Sequence, residues 1–337
     1  MESPLLKLPG AVAADSPDRE VAAHYGEPAH EQRALEAGTG FTDRSDRGVV
    51  TITGADRHRW LHSLLSQHLE VMKPGEAAQA LLLSPNGHVE HHMHLVDDGE
   101  TVWAHVEPGA APSLVEFLDR MRFMMRVEVA DVSEEYAVVT GPAGRGGEIV
   151  WPDVAGLETW LVRRGAEEGE GESLASLAGE LRPAGLWAYE ALRIAAHHPR
   201  MGRDTDHRTI PHEMGWIDSA VHLAKGCYRG QETVARVHNL GRPPRRLVFL
   251  HLDGSVDTLP AHGDPVEIPG GRTVGFVGSA ARHHELGPIA LALVKRNVPV
   301  DADLLAGGVA ASQEVVVSPD TGANAKIDLR RTAANRA

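Results

Sequence analysis

The break at Gly241-Arg242-Pro243-Pro244 divides this chain into two stretches of different character. Two successive prolines neither continue a helix nor donate to a strand ladder, so an element has to end there. Beyond it lie short apolar runs at 247–252, 265–268, 273–277, 289–294 and 314–317, parted by Gly/Pro turns. Runs of that length and spacing predict a small barrel or sandwich. Residues 243–320 are therefore assigned to a C-terminal β domain and 321–337 to a tail.

Before the break, helical and strand patterns mix, so residues 30–242 read as two α+β subdomains, about 30–135 and 136–242. A polar, proline-interrupted extension occupies 1–29 and is expected to be only partly ordered, with the cluster at His24-Tyr25-Gly26 a place where it folds back on the body. In the first subdomain a strand at 49–53 precedes an amphipathic helix at 56–69, marked by Trp60, Leu61, Leu64, Leu65 and Leu69. Then Ser84-Pro85-Asn86-Gly87 predicts a hairpin turn between strands 80–83 and 88–95. At period two the return strand puts His88, Glu90, His92 and His94 on one face, and Val89, His91, Met93 and Leu95 on the other. Ligands on one flat strand face seldom converge, so the histidines read as a polar pocket wall and not as a metal site. A strand at 101–106, a helix at 114–121 and a strand at 127–132 complete this block. Strands at 136–140 and 157–162, an acidic loop at 167–172 and a helix at 186–196 follow.

At 337 residues with a formal charge of −14, the chain has the composition of a soluble globular protein and is a poor non-specific nucleic-acid binder. No apolar run approaches the roughly 20 residues of a membrane span, and the first residues do not form a secretory signal. The single cysteine excludes an intramolecular disulfide, implies a reducing, cytoplasmic setting, and leaves no four-cysteine metal or cluster site within one chain. No dinucleotide fingerprint or P-loop is present.

That cysteine stands in Lys225-Gly226-Cys227-Tyr228-Arg229-Gly230-Gln231-Glu232, ahead of a helix expected to open just after Gly230. Flanking cations and a nearby helix N-terminus favour a thiolate; the alternative is an inert buried side chain. Lys225, Arg229, Arg236, Arg242, Arg245 and Arg246 suggest a positive patch suited to a small anion, against the plainer reading of a solvated charged face. A Cys/His catalyst would need His212, His222 or His238 nearby, but no protease-like signature surrounds the thiol.

The eight-residue motif, with Val234-Ala235-Arg236 after it, resembles the signature of the YgfZ-type folate-binding proteins, relatives of the T-protein (aminomethyltransferase) of the glycine cleavage system. The similarity runs over roughly residues 30–300. It includes Leu192-Arg193-Ile194, Pro211…Glu213…Gly215-Trp216 and Gly275…Gly278-Ser279. It implies an α+β, three-lobed fold around a central channel holding tetrahydrofolate or a derivative, with a C-terminal barrel. The function implied is support of iron–sulfur protein assembly or repair, with indirect effects on tRNA modification. Cys227 is then the functional thiol beside Lys225 and Tyr228. Arg193, Glu213, Trp216, Gly226, Gly230, Gln231, Glu232, Arg236, His91 and His92 are the expected folate-site residues. The expected partners are folate and iron–sulfur client or assembly proteins.

Two departures bear on chemistry. Gly87-His88-Val89-Glu90-His91-His92 has histidines where the aminomethyltransferases carry an aspartate beside the folate. Ala195 replaces a glutamate that would accept from the pterin's N–H donors. Both argue against active aminomethyl transfer, leaving a one-carbon transferase or demethylase using Glu90 or Glu213 as the first alternative. A non-catalytic scaffold is the second.

Overall fold

The computed structural model describes residues 2–147, 149–165 and 172–324. Most of the acidic loop and the tail from 325 onward lie outside that set. The chain forms an α+β fold of three lobes: two five-stranded sheets and a closed six-stranded barrel.

In the first sheet the strands run in the order Ala77–Leu83, Val89–Asp97, Thr101–Val106, Gly48–Thr53 and Glu128–Asp131, all antiparallel. Helices Arg57–Leu64 and Ala111–Arg120 cover one face, burying Trp60, Leu61, Leu114 and Leu118 against Val50, Ile52, Met93 and Leu95. The predicted helix at 56–69 stops five residues early. Ser66 leaves the helical path because its N–H donates to Leu81 O while its Oγ accepts from Leu81 N, at 3.0 and 2.8 Å. Leu65 and Leu69 still enter the same core, which explains why the spacing looked helical.

The second sheet is ordered Val150–Pro152, Leu157–Arg163, Tyr136–Pro142, Gly40–Asp43 and Arg182–Ala184, with only the last pair parallel. Residues 40–43, taken from the sequence as part of the first block, thus pair with Tyr136–Pro142 and Arg182–Ala184 of the second. The extension is ordered and folds onto this lobe. Val12–Ala13 and Ala22–His24 pair as a hairpin, and Val21 and Ala23 pack with Leu35, Leu186 and Tyr189.

The barrel closes through Arg245–Leu252, Gly287–Lys295, Arg272–His283, Pro265–Ile268, Leu304–Ala306 and Val309–Val315, the last returning to pair with the first. The strand at 304–306 is three residues long and carries no readable period. Val309 and Ala311 alternate inward, but their small side chains mask the pattern. Helix Leu186–Ala195 bridges the second sheet and the barrel, burying seven of its ten residues.

Two glycines lock the hairpin turn of the first lobe to the motif helix, Gln231–Asn239. Gly230 is its N-cap, at φ +84°, and a Cβ there would stand 2.7 Å from Ser84 O. A Cβ on Gly87 would meet the Thr233 side chain at 2.8 Å. Both positions need glycine because of this approach as well as the positive φ.

Candidate functional site

A cavity of about 470 Å3 lies where the three lobes meet. One wall is a run of flat rings: Trp216 packs on His92 (centroids 4.7 Å apart), His92 on His94 (4.7 Å), and His94 on His105 (4.5 Å), whose ring meets Trp151 edge-on at 4.9 Å. The strand that carries His92 and His94 does not alternate as the sequence suggests. Leu82 pairs with His91 and Leu83 with Val89, so Glu90 is an extra residue in the ladder. This bulge puts Val89 on the side of Trp216, while His91 pairs outside the wall and does not line the cavity. Glu90 is turned outward to Arg229, 2.6 Å away.

The floor holds four arginines, each held by carboxylates. Arg47 donates to Glu107 (2.8 Å) and to His105 Nδ1 (2.9 Å). Arg200 donates to Glu107 (2.7 Å) and to both oxygens of Asp18 (2.5 and 3.1 Å). Arg193 donates to Glu190 (2.6 Å), Asp204 (2.9 Å) and Ser279 Oγ (2.7 Å). Arg44 donates to Asp153 at 3.0 Å and lies over the Tyr189 ring, 4.1 Å from its centroid. Burial alone would raise the glutamate pKa values. The guanidiniums outweigh it, holding Glu190 down to about 2 and Glu107 well below the carboxylate range. The imidazoles go the other way from their usual value. Burial lowers His92 to about 4 and His94 and His105 well below 6.5, with neighbouring imidazoles and Arg47 adding to it. A guanidinium has no acceptor, so Arg47 requires His105 Nδ1 to be unprotonated, and geometry and electrostatics agree.

A second cavity, about 480 Å3, adjoins the first and shares Gln79, His94, Pro152 and Ser219 with it. His68 and His222 line its outer part, and Trp151 lends it an indole N–H that is buried without a partner.

The cysteine motif lies outside both cavities. Cys227 is exposed, which removes the buried-filler reading. The supposed cationic flank has other engagements. The Lys225 ammonium turns inward to His62 O and Leu65 O, satisfying carbonyls left open at the end of helix Arg57–Leu64, and burial lowers it to about 8. It also sits 4.8 Å over the ring of Tyr228, which is buried with its hydroxyl pushed up to about 12. Arg229 pairs with Glu90 and Arg242 with Asp320. Arg245 is held by Asp206 and Glu213, and Arg246 is fully buried in the barrel. The expected positive patch is therefore not formed; Arg236 stays exposed on its helix. Replacing Lys225 by Met should remove two charge-assisted hydrogen bonds and cost about 2–3 kcal/mol, seen as a lower thermal midpoint with the fold retained.

Of the residues expected at a folate site, Arg193, Trp216 and His92 line the central cavity. Glu213 does not: it is wholly buried, with its carboxylate on Arg245 and on Ile210 N. Gly226, Gly230, Gln231, Glu232 and Arg236 shape the turn and helix beside Cys227 and likewise stand off the cavity wall. Sequence reasoning missed Arg44, Arg47, His105, Glu107, Asp153, Tyr189 and Arg200. Most are single polar residues at or just beyond a strand end, while Tyr189 sits within helix Leu186–Ala195 and Arg200 in the loop after it. None has a local spacing to mark it.

Residues 245–329 match the glycine cleavage T-protein C-terminal barrel domain. An aminomethyltransferase of Rubrobacter xylanophilus is 28% identical over 308 residues, 82% of each chain. A putative chloroplastic transferase of Arabidopsis thaliana is 24% identical over 76% of this chain and 66% of its own. The crystal structure of the glycine cleavage system aminomethyltransferase T from Bartonella henselae superposes with a TM-score of 0.77, covering 94% of this chain and 96% of that one at 16% identity. The barrel match, the similarity along most of the chain and the shared fold together support membership of the T-protein superfamily.

Proposed function

We propose that this chain is a cytoplasmic tetrahydrofolate-binding factor that supports assembly or repair of iron–sulfur proteins through Cys227, and through them tRNA modification. The observation that carries this reading is how the motif is used. Lys225 closes a helix end, Tyr228 packs beneath it, Arg229 holds Glu90, and Gly230 caps the next helix against the hairpin. The thiol alone has no structural duty and is presented to solvent. A buried scaffold that fixes one exposed nucleophile is the arrangement a functional thiol needs. With one cysteine per chain, any cluster contact is transient, bridged between two chains, or completed by histidines or a partner's thiols.

The cavities suit a folate in size and surface. Each falls within the range of small-molecule sites, the ring wall offers stacking faces, and the unpartnered Trp151 N–H awaits an acceptor. Trp216, His92 and His94 would flank the pterin, with Arg193 behind them. Bound tetrahydrofolate supplies a carrier for one-carbon units.

The names of the relatives favour a second reading, aminomethyl or one-carbon transfer. Such chemistry needs a carboxylate free to take a proton near the folate. Glu90 and Glu213 are off the cavity, and Glu107 and Asp153 inside it are tied to guanidiniums. Incubation with tetrahydrofolate and a methylamine donor should therefore yield no methylene product.

Complementation tests the leading reading. The parent chain should rescue a strain lacking such a factor, and Cys227→Ala should not, although an exposed site of this kind should leave stability within about 0.5 kcal/mol. Equal rescue by both would remove the thiol from the function.

A further inference from the structure

Beside the motif stands a group of metal-ligating side chains that the proposed function does not use. One ligand atom from each of His62, His68 and Glu70 lies within 4.8 Å of the others. The His62 and His68 rings are 4.8 Å apart, and His222 meets His68 edge-on at 5.2 Å. His62 Nδ1 is buried with no hydrogen-bond partner, and its Nε2 is 4.0 Å from where a Cβ on Gly226, the neighbour of Cys227, would stand.

The backbone around this group is fixed from both sides. Ser66 Oγ donates to Ala220 O (2.6 Å), Gln67 Nε2 to Ser219 O (3.1 Å), and His222 N to Ser66 O (3.0 Å). The Lys225 ammonium pins His62 O and Leu65 O. Two imidazoles and a carboxylate suit a borderline divalent cation, not Ca2+ or Mg2+. Tetrahedral ligands on Zn2+ stand about 3.4 Å apart, so these side chains must close by up to about 1.4 Å. Half-exposed His62 and His68 and exposed Glu70 are free to do that.

The molecule has one other such group among the described residues, Glu36, His283 and His284, and its donors are already spent. There His284 Nε2 bonds Glu36 at 2.5 Å, and His283 Nδ1 accepts from Glu285 N and Leu286 N.

We propose that His62, His68 and Glu70 hold one divalent transition-metal ion of the Zn2+ or Fe2+ class, at the mouth of the outer cavity and against the Gly226–Cys227 turn. The site keeps at least one coordination position open, with His222 and Cys227 beside it as further donors. It requires neither folate nor an iron–sulfur client.

The test is calorimetric titration of the metal-free full chain with Zn2+, and with Co2+ followed by absorption. One ion should bind per chain. Glu70→Gln, at an exposed position that leaves the fold intact, should weaken binding about tenfold or more, and His68→Ala at least as much, while His283→Ala has no effect. No binding at one equivalent, affinity unchanged in both Glu70→Gln and His68→Ala, or a loss only in His283→Ala would overturn the assignment.

Discussion

Replacing Arg200 by Met is expected to lower unfolding stability by about 3–5 kcal/mol, read as a shift in the urea midpoint. Arg200 joins three parts of the molecule. Its guanidinium holds Asp18 from the N-terminal segment and Glu107 from the end of a first-sheet strand, and lies 3.5 Å from Glu190 on the bridging helix. Arg203 keeps a 3.2 Å contact with Asp18, and Arg47 and Arg193 retain Glu107 and Glu190, so none of the acids is stripped bare. Each nevertheless loses part of the compensation that burial demands. Asp46, packed beside Asp18, is already pushed up to about 8 by burial and by that neighbour, showing how little negative charge the site tolerates unpaired. A loss under about 1 kcal/mol would mean that the network is wet enough to dispense with this cation.

Acidification is expected to destabilise the chain steeply between about pH 6.5 and pH 4, before most carboxylates titrate. His92 and His105 are buried and neutral in the folded state, His92 with its value lowered to about 4. A base whose folded pKa is depressed contributes its full stability above its unfolded value. That contribution is lost as pH falls through the window down to the folded value, because only the unfolded chain takes up the proton. Each such imidazole costs about 1.4 kcal/mol per pH unit within the window. His94, also held well below 6.5 by burial and by its neighbouring imidazole and arginines, adds to the loss. Asp46 opposes them, since its raised pKa makes the folded state the better proton binder over the same range. Asp43 and Asp204, raised by burial, act with Asp46, while His212, lowered to about 4, and His91 and His198 act with the ring wall. The lowered imidazoles outnumber the raised carboxylates and leave a net loss on the order of 1.4 kcal/mol per pH unit. Urea midpoints measured from pH 7 to pH 5 should fall accordingly, and less steeply in His92→Gln. A flat profile would show that the ring wall is solvated.

The parts of this molecule that show in the sequence are those that repeat locally. Gly241–Pro244 marks the lobe boundary because prolines break elements wherever they fall, and the barrel follows because its strands are short apolar runs parted by Gly/Pro turns. The hairpin at Asn86-Gly87 and the helix after Gly230 are likewise set by their own residues. What the sequence hides is long-range. The bulge at Glu90 depends on pairing with another strand, and it moved Val89 to the face of His92. His91 was expected at the folate site from the resemblance alone; it stays on the face opposite His92 and His94, off the cavity. Lys225 looked like a cation for the thiol, but its partners are carbonyls some 160 positions away. Glu213 looked like a free acid until the barrel supplied Arg245. Arg44, Arg47 and Arg200 are ordinary surface residues by composition and become buried only through carboxylates from three separate segments.

Titration with 5-formyltetrahydrofolate by calorimetry tests most directly whether the central cavity holds a folate. The parent chain should bind one molecule. Ser219→Trp, which sets an indole at an exposed position where the two cavities join, should weaken binding about tenfold or more without loss of fold. No heat of binding, or an affinity that Ser219→Trp leaves unchanged, would contradict it.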